Sequence, residues 1–379
     1  MPMPDTQTLA ARHARLDEVR AAAGVEVLVL SNPVSLRYLT NHAGSAGLLV
    51  AGPGGLSLIV DFRYRESLRQ LQAGPCACPA LTVVDVPTTY EAALLECLAR
   101  LGVQRAGIEA GHVTVSRLAT WERLAGEQGR GLVFTPLERV VERLRLVKDA
   151  VEQASLREAA ARLTGVTQAL FDGVVRSGRT ERAVATDLER LMREAGYERL
   201  AFDTIVASGP NGALPHYRAG DRVLARGDLV VLDFGGVLDG YCCDLTRTVA
   251  IGTPGSQARD LHAAVLEAQR AAVDAVRPGL AASDVDAAAR RVLERHGLGE
   301  AFGHGTGHGL GLDVHEEPAV SPRRGAVSPA ELTTGMVFTV EPGAYLPGFG
   351  GVRIEDDVLV TPGGCEVLTH VPRELLTFD

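Results

Sequence analysis

The chain lacks the features that would place it in a membrane, in the secretory pathway or on nucleic acid. No apolar run approaches the ~20 residues that a membrane helix needs. The polar start, MPMPDTQTLAARHARLDEVR, lacks the apolar core of a secretory signal. The net charge of −9 leaves no broad basic surface for phosphates. We therefore expect a cytoplasmic protein that binds neither membrane nor nucleic acid.

Cysteine is also scarce, and its spacing is irregular. The six cysteines include CAC at 76–78 and CC at 242–243, which match neither a disulfide framework nor a paired Cys-x-x-Cys zinc site. We expect reduced thiols, most of them buried. The rest of the composition, 46% hydrophobic and 22% charged over 379 residues, is typical of a packed globular protein with two domains.

The first domain is predicted over residues 1–145. Short β-rich runs alternate there with helical segments that end in glycine, which is the pattern of an α/β unit. The runs are VEVLVL (25–30), LSLIVDF (56–62), TVVDV (82–86), RAGIEA (105–110) and GLVFT (131–135).

The second domain is predicted over residues 146–379. A long charged and apolar stretch with a period near 3.6 follows Pro136, and a second helix is expected at about 179–195. Strand-rich segments come next, interrupted by two Ala-rich helices at about 256–276 and 282–296. We expect an α+β domain whose strands are mostly antiparallel.

Four carboxylates and one imidazole stand where the second domain is otherwise apolar: Asp233, Asp244, Glu341, Glu355 and His308. Taken singly, each has a structural explanation, since a strand-end Asp is commonly a turn acceptor and a lone His commonly a core residue. Converging on one spot, they would need divalent cations to stay ionised together.

The ligand chemistry of this set points to a reaction class. An oxygen-rich site favours manganese, cobalt or iron over a zinc site of the thiolate type. Four carboxylates are enough to bridge two ions about 3.5–4 Å apart around a shared hydroxide. The sequence therefore predicts metal-assisted hydrolysis.

Four stretches, taken in order, resemble the metal-site motifs of the pita-bread metallopeptidases, a family that includes methionine aminopeptidase, aminopeptidase P and prolidase. They are VLDFGGVLDGYCCDLTRT (231–248), GHGTGHGLGLDVHEEP (303–318), FTVEPGAY (338–345) and GVRIEDDVLV (351–360). IVASGPNGALPHY (205–217) and RLVKDAVEQASLREA (145–159) resemble the proline-specific branch of the family. The resemblance implies an α+β pita-bread domain that follows a smaller α/β creatinase-like domain.

The resemblance also implies roles for single residues. It implies two divalent metal ions, with Mn²⁺ favoured and cobalt, zinc or iron as alternatives, held by Asp233, Asp244, His308, Glu341 and Glu355. Glu341 would in addition take a proton from the bridging water and pass it to the leaving nitrogen. His216 and His315 match the histidines that bind substrate and stabilise the oxyanion. His304 is left as a supporting residue.

Arg353 is assigned from its position. It lies two residues before Glu355 and so on the same face of a strand, where it would hold a ligating carboxylate or pair with a substrate carboxylate. The alternative is an outward arginine beside the acidic EDD. Four other acidic residues are expected at the rim or in salt bridges: Glu316, Glu317, Asp356 and Asp357.

The first domain and one substitution bear on the substrate. NPVSLRYLT (32–40) and DFRYRE (61–66) resemble the creatinase-like domain, which implies a homodimer in which this domain lies near the neighbouring active site. Arg37, read as part of a loop, is a candidate partner for the substrate carboxylate. Many prolidases carry an arginine or other specific residue just after the His-Glu-x-Pro motif, whereas Ala319 and Val320 follow Pro318 in this chain.

These observations lead to a ranked expectation for function. We expect hydrolysis of the Xaa-Pro bond in dipeptides, with an Xaa-Pro aminopeptidase acting on longer peptides as the alternative. Two more remote alternatives share the fold: a metal-free creatinase-like hydrolase and a non-enzymatic interaction protein. The complete set of predicted ligands disfavours both.

Overall fold

In the computed structural model, which describes residues 3–323 and 330–379, the chain divides into two compact units, Met1–Arg145 and Leu146–Asp379. Within the described residues, no helix is both long enough and apolar enough to cross a bilayer. All six cysteines are free thiols, and four of them are buried: Cys78, Cys97, Cys242 and Cys243.

The N-terminal unit is a six-stranded mixed sheet with helices. Its strands are β1 (Val27–Leu30), β2 (Leu48–Gly52), β3 (Gly55–Val60), β4 (Leu81–Asp85), β5 (Arg105–Glu109) and β6 (Val133–Leu137). Its helices are α1 (Thr6–Ala22), α2 (Pro33–Thr40), α3 (Phe62–Gln72), α4 (Tyr90–Arg100), α5 (Val115–Glu127) and α6 (Glu142–Arg145). The strand order is β4-β3-β2-β1-β5-β6, with antiparallel pairs only at β1–β2 and β2–β3.

Two details of this unit differ from the sequence-based expectation. The loop expected around Arg37 is wrong. The side chain of Asn32 accepts from the backbone N–H of Val34 and Pro33 occupies the first turn, so that residues 33–40 form helix α2. Strand β2 was not predicted. It pairs with β3 in a hairpin around Pro53 and Gly54.

The C-terminal unit contains four α-helices, two short 3-10 helices (Gly209–Ala213 and Gly299–Ala301) and twelve strands within its described residues. The helices are α7 (Ala150–Gly173), α8 (Glu181–Glu194), α9 (Ser256–Ala275) and α10 (Ala282–Arg295). The strands are β7 (Arg199–Leu200), β8 (Ile205–Ser208), β9 (Leu229–Leu238), β10 (Tyr241–Ile251), β11 (Gly307–Gly309), β12 (Glu316–Val320), β13 (Val337–Val340), β14 (Gly343–Leu346), β15 (Gly350–Arg353), β16 (Asp356–Thr361), β17 (Gly364–Val367) and β18 (Thr377–Phe378). Within the described residues of this unit, all strand pairs are antiparallel except β10–β18.

Two helix pairs cover two sheets in this unit. Helices α7 and α8 share an apolar core with the sheet β18-β10-β9-β7, to which β8 is added at β9. Helices α9 and α10 share a second core with the sheet β12-β11-β13-β16-β17. The two sheets meet where the backbone N–H of Glu355 donates to the carbonyl of Thr246 at 3.1 Å. Each sheet thus places one side on its helices and brings residues of the predicted metal site to the junction.

Local sequence signals explain the start of α7 and the hairpin at the centre of the unit. Asp149 accepts from the N–H groups of Val151 and Glu152, and Glu152 accepts in return from Asp149, which makes a capping box at the start of α7. Strands β9 and β10 are joined by Asp239 and Gly240, both with positive φ. An Asp-Gly pair is favoured in the tight turns that match the twist of a hairpin.

Candidate metal centre

The β9–β10 hairpin places the first two carboxylates on one face of its sheet. Asp233 lies opposite Thr246 in the ladder, and Asp244 lies opposite Gly235. Because side chains alternate along a strand, Asp244 and Thr246 share a face, and Asp233 shares it across the pair. Both aspartates are buried, with 8% of Asp233 and 4% of Asp244 exposed.

The glycine-rich segment supplies the imidazole. His308 is the central residue of β11, and its neighbours Gly307 and Gly309 approach the backbone of adjacent strands so closely that a Cβ at either position would overlap with Thr339 or Glu317. Glycine is therefore required on both sides of His308. The imidazole itself reaches the carboxylates, with Nε2 lying 3.9 Å from Asp244 Oδ2 and 3.6 Å from Glu341 Oε1.

Three of the predicted ligands form a compact cluster. Asp244, His308 and Glu355 each offer one ligand atom, and these atoms all lie within 4.8 Å of one another. Glu341 follows β13 directly and contacts the cluster through His308. Asp233 lines the same cavity, so the structure brings all five predicted residues to one place.

The buried carboxylate oxygens fit a bound cation. Asp244 Oδ1 and Glu355 Oε1 are buried, and no described residue gives either a hydrogen bond. An unpartnered buried carboxylate oxygen is costly unless an ion or a water satisfies it. A divalent cation would be coordinated by these oxygens and by the imidazole, as the donor set predicts.

The electrostatics of the site agree with this fit. Burial, followed by the charges of the neighbouring carboxylates, raises the pKa of Glu355 to about 8 and the pKa values of Asp244 and Glu341 well above their usual range. Burial, with His315 nearby, lowers the pKa of His308 to about 4. A neutral imidazole is the form that binds metal, and a cation would keep the carboxylates ionised.

A chain of hydrogen bonds holds the carboxylates in place. Thr246 Oγ1 donates to Glu355 Oε2 at 2.6 Å, and Arg353 Nε donates to Thr246 Oγ1 at 3.2 Å. The guanidinium group of Arg353 also pairs with Asp233 and donates to the Tyr345 hydroxyl at 2.7 Å. Arg353 is 4% exposed and lines the cavity. It contacts a predicted ligand, which is one of the two roles considered from the sequence.

The three other histidines singled out from the sequence, His216, His304 and His315, occupy different positions around the cluster. The ring of His315 packs edge-on against that of His308, with centroids 4.3 Å apart. His315 and His216 are exposed, and both line a cavity of about 700 Å³ that also contains the cluster. His304 lies 2.9 Å from the Tyr345 hydroxyl through Nε2 and is outside the three-residue cluster.

The rim positions expected for Asp356 and Asp357 are wrong. Asp356 is fully buried and pairs with Arg247 at 2.8 Å, so only the salt-bridge part of that expectation describes it. Asp357 is 1% exposed and accepts from the backbone N–H of Asp244 at 3.1 Å, which fixes the strand beside a predicted ligand. Burial raises the pKa of Asp357 well above its usual range.

Two contacts that shape the site were not predicted. Glu181, fully buried at the start of α8, accepts hydrogen bonds from Ser208, Asn211, Tyr217 and Gly220 and so fixes the loop that carries His216. Lys148 is the only lysine in the sequence, and its buried ammonium lies 3.1 Å from Glu316, next to His315. The role of Lys148 could have been suspected from the sequence, because it is the single lysine. Glu181 gives no such signal, because glutamates are common in the first turn of a helix.

Comparison with known proteins identifies the family. Residues 154–362, more than half of the chain, match metallopeptidase family M24. The chain belongs to family M24. Residues 12–147 match the creatinase/prolidase N-terminal domain. The predicted family and fold are thus confirmed, and membership implies divalent metal ions and peptidase activity.

Relatives of this M24 chain include dipeptidases and an aminopeptidase. The Xaa-Pro dipeptidase of Pyrococcus furiosus is 34% identical over 93% of this chain and 95% of its own length. The structure of an Xaa-Pro dipeptidase from Bacillus anthracis is similar with a TM-score of 0.90 and 36% identity, covering 97% of this chain and 99% of that one. An X-Pro aminopeptidase structure from Thermotoga maritima has a TM-score of 0.84 and 34% identity, covering 96% and 99%.

Proposed function

We propose that this M24 protein is a dinuclear metallopeptidase that hydrolyses the Xaa-Pro bond of dipeptides. The observation that carries the proposal is the cluster of Asp244, His308 and Glu355, whose buried carboxylates have oxygens that no described residue satisfies. The similarity to Xaa-Pro dipeptidases over more than nine-tenths of the chain supports the choice of substrate.

The favoured ion is Mn²⁺, with cobalt, zinc and iron as alternatives. The proposed ligands are five side chains: Asp233, Asp244, His308, Glu341 and Glu355. When bound, a pair of ions would supply a hydroxide at neutral pH and stabilise the oxyanion of the tetrahedral intermediate. The oxygen-rich set is the reason for preferring manganese.

The chain's own residues would perform the proton transfer and orient the substrate. Glu341 lies beside His308 at the cavity, where its carboxylate would accept a proton from the attacking water and deliver it to the prolyl nitrogen. Any amide nitrogen must gain a proton to leave as an amine, and the prolyl nitrogen, which carries no hydrogen in the peptide, would receive its only one from Glu341. The exposed imidazoles of His216 and His315 would donate hydrogen bonds to the substrate carbonyl oxygen as its charge develops.

Arg353 has a positioning role in this proposal. Its guanidinium group pairs with Asp233, and its Nε bonds the threonine hydroxyl that bonds Glu355. A cation that contacts one carboxylate ligand directly and a second through a threonine hydroxyl would fix the orientation of both before metal binds. Arg353 therefore serves the ligands in this proposal, and another group would bind the substrate carboxylate.

An Xaa-Pro aminopeptidase is the second candidate function. The similarity to the Thermotoga maritima X-Pro aminopeptidase structure supports it, as does Ala319 at the position where many prolidases have an arginine or other specific residue. The metal-free hydrolase and the non-enzymatic protein are disfavoured, because both would leave the buried oxygens of Asp244 and Glu355 without a partner. We further propose a cytoplasmic homodimer. Arg37, which the sequence made a candidate partner for the substrate carboxylate, is not assigned that role in this proposal.

The test compares two substrates on the Mn²⁺-loaded protein. Free proline released from Xaa-Pro is measured beside the amino acid released from Xaa-Pro-Yaa. We expect at least about tenfold higher kcat/KM for the dipeptide; cleavage confined to the tripeptide would replace the first function by the second. His308→Ala should abolish both reactions, whereas His296→Ala, at an exposed pair with Glu267, should change neither.

A further inference from the structure

Arg218 is a cation of the cavity lining that the metal site does not use. Among the described residues that line the cavity, Arg218 and Arg353 are the only arginines, and none is a lysine. Arg353 is buried against Asp233 and Tyr345. The side chain of Arg218, in contrast, is 87% exposed, and its Nη2 pairs with Oδ2 of the 80% exposed Asp203 at 3.2 Å.

The backbone that carries Arg218 is held by its neighbour. The Tyr217 hydroxyl donates to Glu181 Oε2 at 2.9 Å and accepts from Asn211 Nδ2 at 2.9 Å. The Tyr217 ring packs against a small buried apolar cluster on β8 and β9. These contacts hold the side chain of Tyr217 against β8 and β9. The residues on either side of it, His216 and Arg218, are exposed and line the cavity.

The position where many prolidases carry an arginine or other specific residue holds Ala319, whose side chain has no charge. The backbone N–H of Ala319 donates to Glu317 Oε2 at 3.0 Å. A dipeptide ends in a free carboxylate one residue beyond the scissile bond, so a cation near His216 would be placed to meet it. A guanidinium group can bind both oxygens of such a carboxylate at once.

We propose that Arg218 binds the free carboxylate of the dipeptide substrate and that Asp203 occupies the same guanidinium group in the free enzyme. This inference rests on the proposed hydrolysis of dipeptides. Ion pairs between exposed side chains contribute little to stability. The exchange of Asp203 for the substrate carboxylate therefore costs little, and a peptide with a further residue, or an amide in place of the carboxylate, loses the contact.

The main experiment uses Arg218→Gln and a matched control. The control is Arg182→Gln. Arg182 is also exposed and pairs with an aspartate, Asp221, at 2.9 Å, but it does not line the cavity. With Ala-Pro as substrate and the Mn²⁺-loaded enzymes, Arg218→Gln should raise KM about tenfold and change kcat by less than about twofold. Arg182→Gln should leave both constants unchanged. With Ala-Pro amide, the KM of Arg218→Gln should equal that of the wild type.

Two further variants separate this inference from its rivals. Asp203→Asn removes the competing carboxylate and should lower KM for Ala-Pro by about twofold, a small change because the exposed pair is weak. Arg37→Ala should leave KM unchanged; if it raises KM while Arg218→Gln does not, Arg37 is the anchor and the inference is overturned. Equal KM values for Arg218→Gln and Arg182→Gln also overturn it, while proline release still supports the proposed function. If the wild type releases no proline from Ala-Pro, the proposed function fails and the inference falls with it.

Discussion

Removal of metal should make the stability of the protein fall as the pH rises through the neutral range. In the folded chain the pKa of Glu355 is about 8, raised from 4.5 by burial and neighbouring carboxylates. Between these two values the folded chain binds a proton that the unfolded chain does not, so the free energy of unfolding decreases with increasing pH. The stabilisation that the bound proton of Glu355 provides is complete below the pKa of this group in the unfolded chain, 4.5. It is lost as the pH rises through the pKa in the folded chain, about 8.

The size of the effect follows from the two pKa values of Glu355. Integrating the proton linkage from pH 6.5 to pH 8.5 gives a loss of about 2 kcal/mol. Asp244 and Glu341, whose pKa values are also raised, act in the same direction. The half-buried His304 and His308, with pKa values lowered from 6.5 to about 4, oppose this trend, because in the unfolded chain each is still half protonated at pH 6.5 and loses that proton as the pH rises. Together they offset less than about 1 kcal/mol of the loss.

Urea unfolding of chelator-treated protein at pH 6.5, 7.5 and 8.5 measures this loss. With Mn²⁺ present under argon the carboxylates should stay ionised throughout, and the dependence on pH should disappear. Glu355→Gln removes one titrating group and should flatten the profile of the metal-free protein. A metal-free unfolding free energy that is constant within about 0.5 kcal/mol would refute the electrostatic account of the site.

Two further substitutions test contacts around the site. Lys148→Met should lower the free energy of unfolding by about 3 kcal/mol in urea titrations, because it removes the ammonium group that pairs with the buried carboxylate of Glu316. The control Arg190→Met, at an exposed pair with Glu194, should have no measurable effect. Thr246→Val removes the hydroxyl that bonds Glu355 and should weaken Mn²⁺ binding about tenfold in equilibrium dialysis; an unchanged dissociation constant would show that this bond does not orient the ligand.

The sequence predicted the parts of the site that short motifs encode. The Asp239-Gly240 turn fixes the β9–β10 hairpin, and strand alternation then places Asp233 and Asp244 on one face. The glycines beside His308 similarly indicate a strand that neighbouring backbone approaches closely. These features depend on neighbours in sequence and explain single elements of the site. That all five predicted ligands belong to one site was implied only by the resemblance to the metallopeptidase family, and the structure places all five at one cavity.

Contacts between distant segments could not be predicted in this way. Asp356 was expected at the rim or in a salt bridge, and its partner Arg247, 109 positions earlier, pairs with it in the core rather than at the rim. The hydrogen bonds that Glu181 accepts come from residues 27 to 39 positions later. Such partners are set by tertiary packing, and only an unusual residue, such as the single lysine at 148, marks them in the sequence.

The measurement that tests the central claim most directly is the number of Mn²⁺ ions bound per chain. Equilibrium dialysis followed by elemental analysis should find about two ions on the wild-type protein and on the control His296→Ala. His308→Ala and Asp244→Asn should each bind fewer than one ion at the same free concentration. A wild type that binds no Mn²⁺, cobalt, zinc or iron above the level of these two variants would contradict the proposed metal centre.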